Sequence, residues 1–327
     1  MGGSVTIIGA GQIGFAAAKV FSEEGWNVRI LARSRPDWLF DAVLFATYLK
    51  SEHGAPSADI VLDTIAYDED DIARYDPGAV GRLIVVSSAS VYCDKDGRTL
   101  DEAAQNGFPN FLEVITEDQR TVAPGPETYS TRKVRMENAA RERFAERATI
   151  LRPCAIHGPH SRHPREWWFV KRLLDDRTRI PLAYGGRSRF QTTSARSVGD
   201  VALLAMQDAI GGTFNVADAD APTVAEIGSA IAACLGKSVE FVPVEGVPDS
   251  GVGHLPWSIP EPMVVSSAKA AHHRALSVRY DKAVDEAVRW LRDLGPADWR
   301  AALPQLAAYP WNLFDYDAED RFLHRRD

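Results

Sequence analysis

Tyr129 and Lys133, four positions apart in Tyr129-Ser-Thr-Arg-Lys133, are the residues of this chain most suited to acid-base chemistry. At the start of a helix that spacing puts both side chains on one face, where a phenol and an ammonium can converge on one bound carbonyl. A free phenol titrates near pH ~10, so proton exchange near neutrality needs a neighbouring cation to stabilise the phenolate. Lys133 is placed to supply it. The same spacing also occurs on any exposed helix turn, so a second feature must carry the reading. That feature is Val85-Val-Ser-Ser-Ala-Ser-Val-Tyr92, an apolar run ending in hydroxyls. Such a run forms a buried parallel strand and brings Ser88 to the carboxyl edge of the sheet, where doubly wound folds bind ligands. From there Ser88 can donate a hydrogen bond to a substrate oxygen.

A phosphate-binding feature stands near the N-terminus. Gly9-Ala-Gly-Gln-Ile-Gly14 lies between a β-branched run, Val5–Ile8, and an Ala-rich stretch of helical spacing, Phe15–Phe21. Gly9, Gly11 and Gly14 can serve the tight turn, the close approach of a pyrophosphate and helix-to-strand packing, while the helix start at Gln12 and Ile13 offers amides. A dinucleotide is the expected ligand. The next strand ends Ala32-Arg-Ser-Arg35, without the acidic residue that reads the 2′-hydroxyl of NAD. Arg33 and Arg35 suit a 2′-phosphate instead, so NADP is expected, with NAD as the alternative.

Positioning these groups requires strands that alternate with helices. Val28–Leu31, Asp59–Asp63, Leu83–Val86 and Ala148–Leu151 read as strands, and Tyr129–Phe144 reads as a helix. The pattern predicts an α/β fold, a Rossmann-like doubly wound parallel sheet with a smaller C-terminal substrate-binding region. Residues 1–160 form the expected nucleotide-binding domain, which the chain re-enters near 190–218; residues 161–189 and 219–327 form the smaller region. Within the latter, Thr223-Val-Ala-Glu226 matches a capping box. A Pro- and Gly-rich loop is expected from about Val247 to Pro262, an amphipathic helix over Tyr280–Leu294 and a docked tail from Trp311.

Composition narrows the function classes. The 327 residues are 45% hydrophobic, enough for a large core, and the formal charge of −8 argues against nucleic-acid or anionic-membrane partners. A local basic patch at Arg162, Arg165, Lys171 and Arg172 stays open. No apolar run approaches the ~18 residues needed to cross a bilayer. A cytoplasmic protein without a signal peptide is expected. Cys93, Cys154 and Cys234 lie far apart, and His160 and His163 lack a carboxylate or third histidine at ligand spacing, so neither disulfide nor metal is expected.

Taken together the motifs resemble the extended short-chain dehydrogenases/reductases, the group that includes nucleotide-sugar epimerases and dehydratases. The resemblance covers most of the chain: Gly9–Gly14, Ser88–Tyr92, Tyr129/Lys133 with Glu137, Leu151-Arg-Pro153 through His157-Gly-Pro159, Val198–Ala202, and Phe214–Val216 before Thr223–Glu226. It implies that Ser88 orients the substrate oxygen, Tyr129 is the general acid/base, and Lys133 holds the nicotinamide ribose while lowering the tyrosine pKa. Thr64, Ile65, Ala66, Ser87, Pro153 and Ile156 would line the cofactor, and a homodimer would form through a bundle including the Tyr129–Lys133 helix. Ser90, Tyr92 and His157 would stand on the substrate side, His157 equally suiting a structural role. Trp167 and Trp168 could wall the pocket, and Arg196, Arg165 or Arg189 could pair with an anionic small-molecule substrate.

The chain departs from the group at two places. Arg152-Pro-Cys-Ala155 lacks the Asn two residues after Arg-Pro that helps bind a nucleotide-sugar diphosphate, and Phe190–Asp200 replaces the usual Arg-Asp-Phe-(Val/Ile)-His stretch. With Arg33 and Arg35, these differences favour net carbonyl reduction or alcohol oxidation. An epimerase or dehydratase with retained NAD is the alternative, and a non-catalytic RNA-binding or redox-sensing relative is the second.

Overall fold

The computed structural model describes residues 3–246, 251–273, 275, 277–295 and 298–326. Its elements follow the expected alternation: β1 (Ser4–Ile8), α1 (Gln12–Glu23), β2 (Asn27–Ala32), β3 (Val43–Thr47), β4 (Ala58–Asp63), α2 (Glu69–Ala73), β5 (Val80–Val86), α3 (Ala103–Asn106), α4 (Tyr129–Phe144), β6 (Ala148–Pro153), β7 (Ala155–His157), α5 (Trp167–Leu174), β8 (Arg179–Leu182), β9 (Thr192–Ser194), α6 (Ala195–Gln207), β10 (Gly212–Val216), α7 (Val224–Cys234) and β11 (Glu240–Pro243). Seven strands form one parallel sheet in the order β10-β6-β5-β4-β1-β2-β3. The chain winds outward from β1 to β3, then restarts at β4 and winds the other way. The switch between β1 and β4 opens a crevice at the carboxyl ends of the strands.

Apolar residues on both faces of the central strands explain this placement. Ile7, Ile60 and Leu62 pack with α1 and α6, whereas Ile8, Val61, Leu83, Val85 and Ile150 pack with α4 and the α2 region. Helix α4 begins as expected, with a capping box between Thr128 and Thr131, and the Thr223/Glu226 box starts α7.

A second core joins α5, α7 and the C-terminal segments, with small parallel pairs β8–β11 and β7–β9 beside it. The amphipathic stretch forms two helices, Tyr280–Ala283 and Asp285–Leu294, that bury Tyr280, Val284, Val288 and Leu291. The tail is docked: buried Arg172 donates to Glu319 on the helix Tyr316–His324 and to the Leu313 carbonyl. Arg172 is therefore not part of a basic surface patch. Val247–Ser250 of the expected loop lie outside the described residues. Among the described residues no helix is long and apolar enough to cross a membrane.

Candidate active site

The three glycines of the N-terminal turn do different work. Gly9 has a φ of 107°, and a Cβ there would lie 2.2 Å from Thr64 Oγ1. A Cβ on Gly14 would lie 2.0 Å from the Gly9 carbonyl oxygen, so the close approach of helix and strand forbids any side chain. Gly11 is exposed, with nothing within 4 Å of its would-be Cβ. It also caps α1 without a side-chain hydrogen bond, and so leaves the helix amides facing open space. This is the geometry a pyrophosphate needs. The Gln12 Oε1 beside it is enclosed without a partner, and Ile65, packed near Gly9, is 46% exposed. These residues fit a dinucleotide.

Thr64–Ala66 follow β4 directly, Ser87 and Ser88 follow β5, and Pro153 ends β6, so these expected site residues share one sheet edge with the glycine turn. The Thr64 hydroxyl is already committed to the Ile8 carbonyl at 2.7 Å. Ile156 is half-buried on β7. Arg33 and Arg35 are exposed just beyond β2, and neither makes an ion pair among the described residues. Trp38, which no sequence pattern singled out, donates its indole N–H to the Ala10 carbonyl at 3.0 Å and so ties the arginine-bearing loop to the glycine turn.

Ser88 caps the short turn Ala89–Val91; its Oγ accepts from the Ser90 amide at 3.1 Å, which leaves its own proton to donate. Tyr129, the first residue of α4, is 41% exposed and stacks obliquely on Tyr67, ring centres 5.8 Å apart. Desolvation of the hydroxyl, helped by the charge of Asp101 and by Tyr67, pushes its pKa up to about 12, while hydrogen bonding with Ser88 opposes the rise. Lys133 is buried and donates to the carbonyls of Ala66 at 2.6 Å and Val86 at 2.9 Å. Burial brings its pKa down to about 8, against the stabilising charges of Asp63, Glu137 and Asp71.

One expectation needs correction here. The ammonium stands 5.6 Å from the centre of the Tyr129 ring and gives two of its three hydrogens to carbonyls, which leaves one for a ligand, and burial of the hydroxyl raises the phenol pKa rather than the cation lowering it. One helical turn aligns the two side chains but lets the longer lysine reach past the ring into the sheet.

Behind this edge lies a buried ion pair. Glu137 accepts from Arg152 Nε at 2.8 Å and Nη2 at 2.5 Å, and Arg152 lies 4.9 Å from the centre of the Tyr92 ring. Ser87 is buried and interacts with Glu137.

Several expected substrate residues face elsewhere. Tyr92 is buried and donates to Asn215 Oδ1 at 2.7 Å; it braces β5 against β10. Ser90 is half-buried and accepts from Ser130 Oγ at 2.9 Å. His157 is 0% exposed and meets Asp218 at 2.9 Å, and that carboxylate, against the opposing effect of burial, holds the imidazole pKa above its usual value. Trp167 and Trp168 are 3% and 1% exposed inside the second core, with Arg172 stacked 3.4 Å from the Trp168 ring centre, so they form no pocket wall. Arg196 pairs with Glu23 at 2.7 Å and fastens α6 to α1. Arg165 lies over Phe190, and Arg189 donates to the Ala221 carbonyl. Among the described residues no group of three or more His, Cys, Asp or Glu could hold a metal.

No protein-family model matches the sequence, and no curated protein does. Solved structures do. The structure is similar to a UDP-galactose 4-epimerase at 17% identity and TM-score 0.62, with 89% of this chain and 99% of that one covered. It is similar to the Bordetella bronchiseptica enzyme WbmH in complex with NAD+ at 16% identity and TM-score 0.65, covering 90% and 100%. It is also similar to a dTDP-glucose 4,6-dehydratase from Bacillus anthracis in complex with NAD, at 14% identity and TM-score 0.62, covering 92% and 99%. Beneath such low identity it is architecture that is shared: this chain has the fold of these epimerases and dehydratases.

Proposed function

We propose that the chain is a cytoplasmic, NADP-dependent oxidoreductase that moves hydride between nicotinamide and a small carbonyl or alcohol, with Tyr129 as general acid/base. The observation that carries this reading is the convergence of Ser88, Tyr129 and Lys133 on the sheet edge that also carries the open Gly11 turn. The amides at Gln12 and Ile13 would hold the pyrophosphate, Arg33 and Arg35 the 2′-phosphate, and Lys133 the nicotinamide ribose. When bound, the dinucleotide supplies or accepts the hydride. Ser88 would turn its proton from the Tyr129 oxygen to the substrate oxygen and fix its position. Tyr129, with a pKa near about 12, keeps its proton at neutral pH and is a ready donor to an oxygen that becomes an alcohol.

Titration of the wild type and Arg33→Asp with NADPH and NADH tests this reading. Wild type is expected to prefer NADPH, and the variant to lose most of that preference, since a phosphate loses its guanidinium and meets a like charge. A wild-type preference for NADH would remove the arginine assignment.

Nucleotide-sugar epimerisation with retained NAD is the second reading, favoured by the similar structures, one of which is a UDP-glucuronic acid 4-epimerase in complex with UDP-glucuronic acid and NAD. Turnover without net consumption of NAD(P)H would favour it. Ala155, which stands where such enzymes carry a diphosphate-binding Asn, weighs for the first reading.

A further inference from the structure

Asp63 ends β4 with 0% exposure, and among the described residues it makes no ion pair. Its Oδ1 accepts from the amides of Ile65 at 2.8 Å and Ala66 at 2.7 Å, and its Oδ2 accepts from the Tyr75 hydroxyl at 2.7 Å. The next link leads to the centre of the site, because the Ala66 carbonyl is the group that receives the Lys133 ammonium at 2.6 Å. Ala66 is thus held through its amide by a carboxylate and through its carbonyl by a cation.

Four charged groups act on Lys133: Asp63 from β4, Asp71 from α2, Glu137 from its own helix, and Lys50 from the β3–β4 connection. Two of the three carboxylates have cations of their own. Glu137 is bound by Arg152 at 2.5 Å, and Asp71 by Lys50 at 2.6 Å. Asp63 has only neutral donors, so its field reaches Lys133 uncancelled, and in a buried setting an uncancelled charge acts strongly.

We propose, resting on the dinucleotide reading above, that Asp63 is a positioning residue for Lys133: it fixes the turn whose carbonyl receives the ammonium, and it supplies the negative charge that keeps that ammonium cationic for the cofactor ribose. Asp63→Asn separates this role from simple capping of the turn. The amide oxygen can still accept from Ile65 and Ala66, and the side-chain N–H can donate to the Tyr75 oxygen; only the charge goes.

The experiment measures NADPH affinity of wild type and Asp63→Asn between pH 6 and 9. Wild type is expected to lose affinity through a midpoint near pH ~8, and the variant through one about one pH unit lower. The two should match at pH 6 and differ about tenfold above pH ~8, as a one-unit shift requires. Identical curves would overturn the proposal and leave Asp63 a turn cap. Failure of wild type to bind any dinucleotide would instead bring down the functional reading and the proposal together. Should Asp63→Asn not fold, the double variant Asp63→Asn/Lys133→Met is expected to fold, because it no longer buries an uncompensated ammonium. A double variant that still fails to fold would overturn the proposal.

Discussion

At the scale of one residue, Tyr129 would set the proposed chemistry. Its hydroxyl is desolvated, its partner is Ser88, and the cation four residues away is turned toward the sheet, so the phenol is an acid that holds its proton until it is asked for. Tyr129→Phe keeps the ring against Tyr67 and removes only the hydroxyl. Dinucleotide affinity is expected to stay within about twofold, while turnover falls by a factor of about 10² to 10⁴, the range for a lost general acid. Steady-state kinetics beside a binding titration check this, and near-wild-type turnover would end the assignment. The residue types and their spacing were legible in the sequence. The direction of Lys133 was not, because the carbonyls it selects come from two other strands' ends, 67 and 47 residues away.

The strand-turn-helix unit of β1 and α1 is the clearest element, and its glycines make separable predictions. Gly14→Ala forces a methyl onto the Gly9 carbonyl at 2.0 Å, where backbone meets backbone and neither can give way. A loss of about 1–3 kcal/mol is expected, the usual cost of overpacking, and is read by denaturant melts. Gly11→Ala meets no atom within 4 Å, so the melt should be that of wild type, but the methyl takes the space a pyrophosphate would occupy. Dinucleotide affinity should fall about tenfold or more, ~1.4 kcal/mol. Equal affinity for Gly11→Ala and wild type would place the phosphates elsewhere. The sequence assigns the three glycines to these uses through their position between a β-branched run and an Ala-rich helix. It does not reveal Trp38, whose loop has no periodicity and whose partner is a backbone carbonyl.

For the whole molecule, the resemblance implies a homodimer through a bundle that includes α4, and that helix carries many charged side chains. Arg132 and Arg135 are engaged by Asp68 and Glu69 next to α2, and Arg141, Glu142 and Arg143 are exposed. A bundle interface needs an apolar stripe, and covering these charges would cost their solvation without one. Light scattering reads the state directly: a dimer broken by charge changes at Arg141 and Arg143 would support the bundle, and a monomer near the chain mass of 35.9 kDa would remove it. Such a surface depends on what the chain packs against α4. By itself the sequence determined the alternation of strands and helices, the bounds of α4 and the glycine turn, because each rests on periodicity or spacing within one or two elements. Only the tertiary structure decided that His157 belongs to Asp218, that Trp167 and Trp168 fill a second core, that Arg196 serves α1, and that Asp63 stands uncancelled beside Lys133. Those are pairings between groups distant in the chain, set by which faces the fold brings together and which charges it leaves without partners.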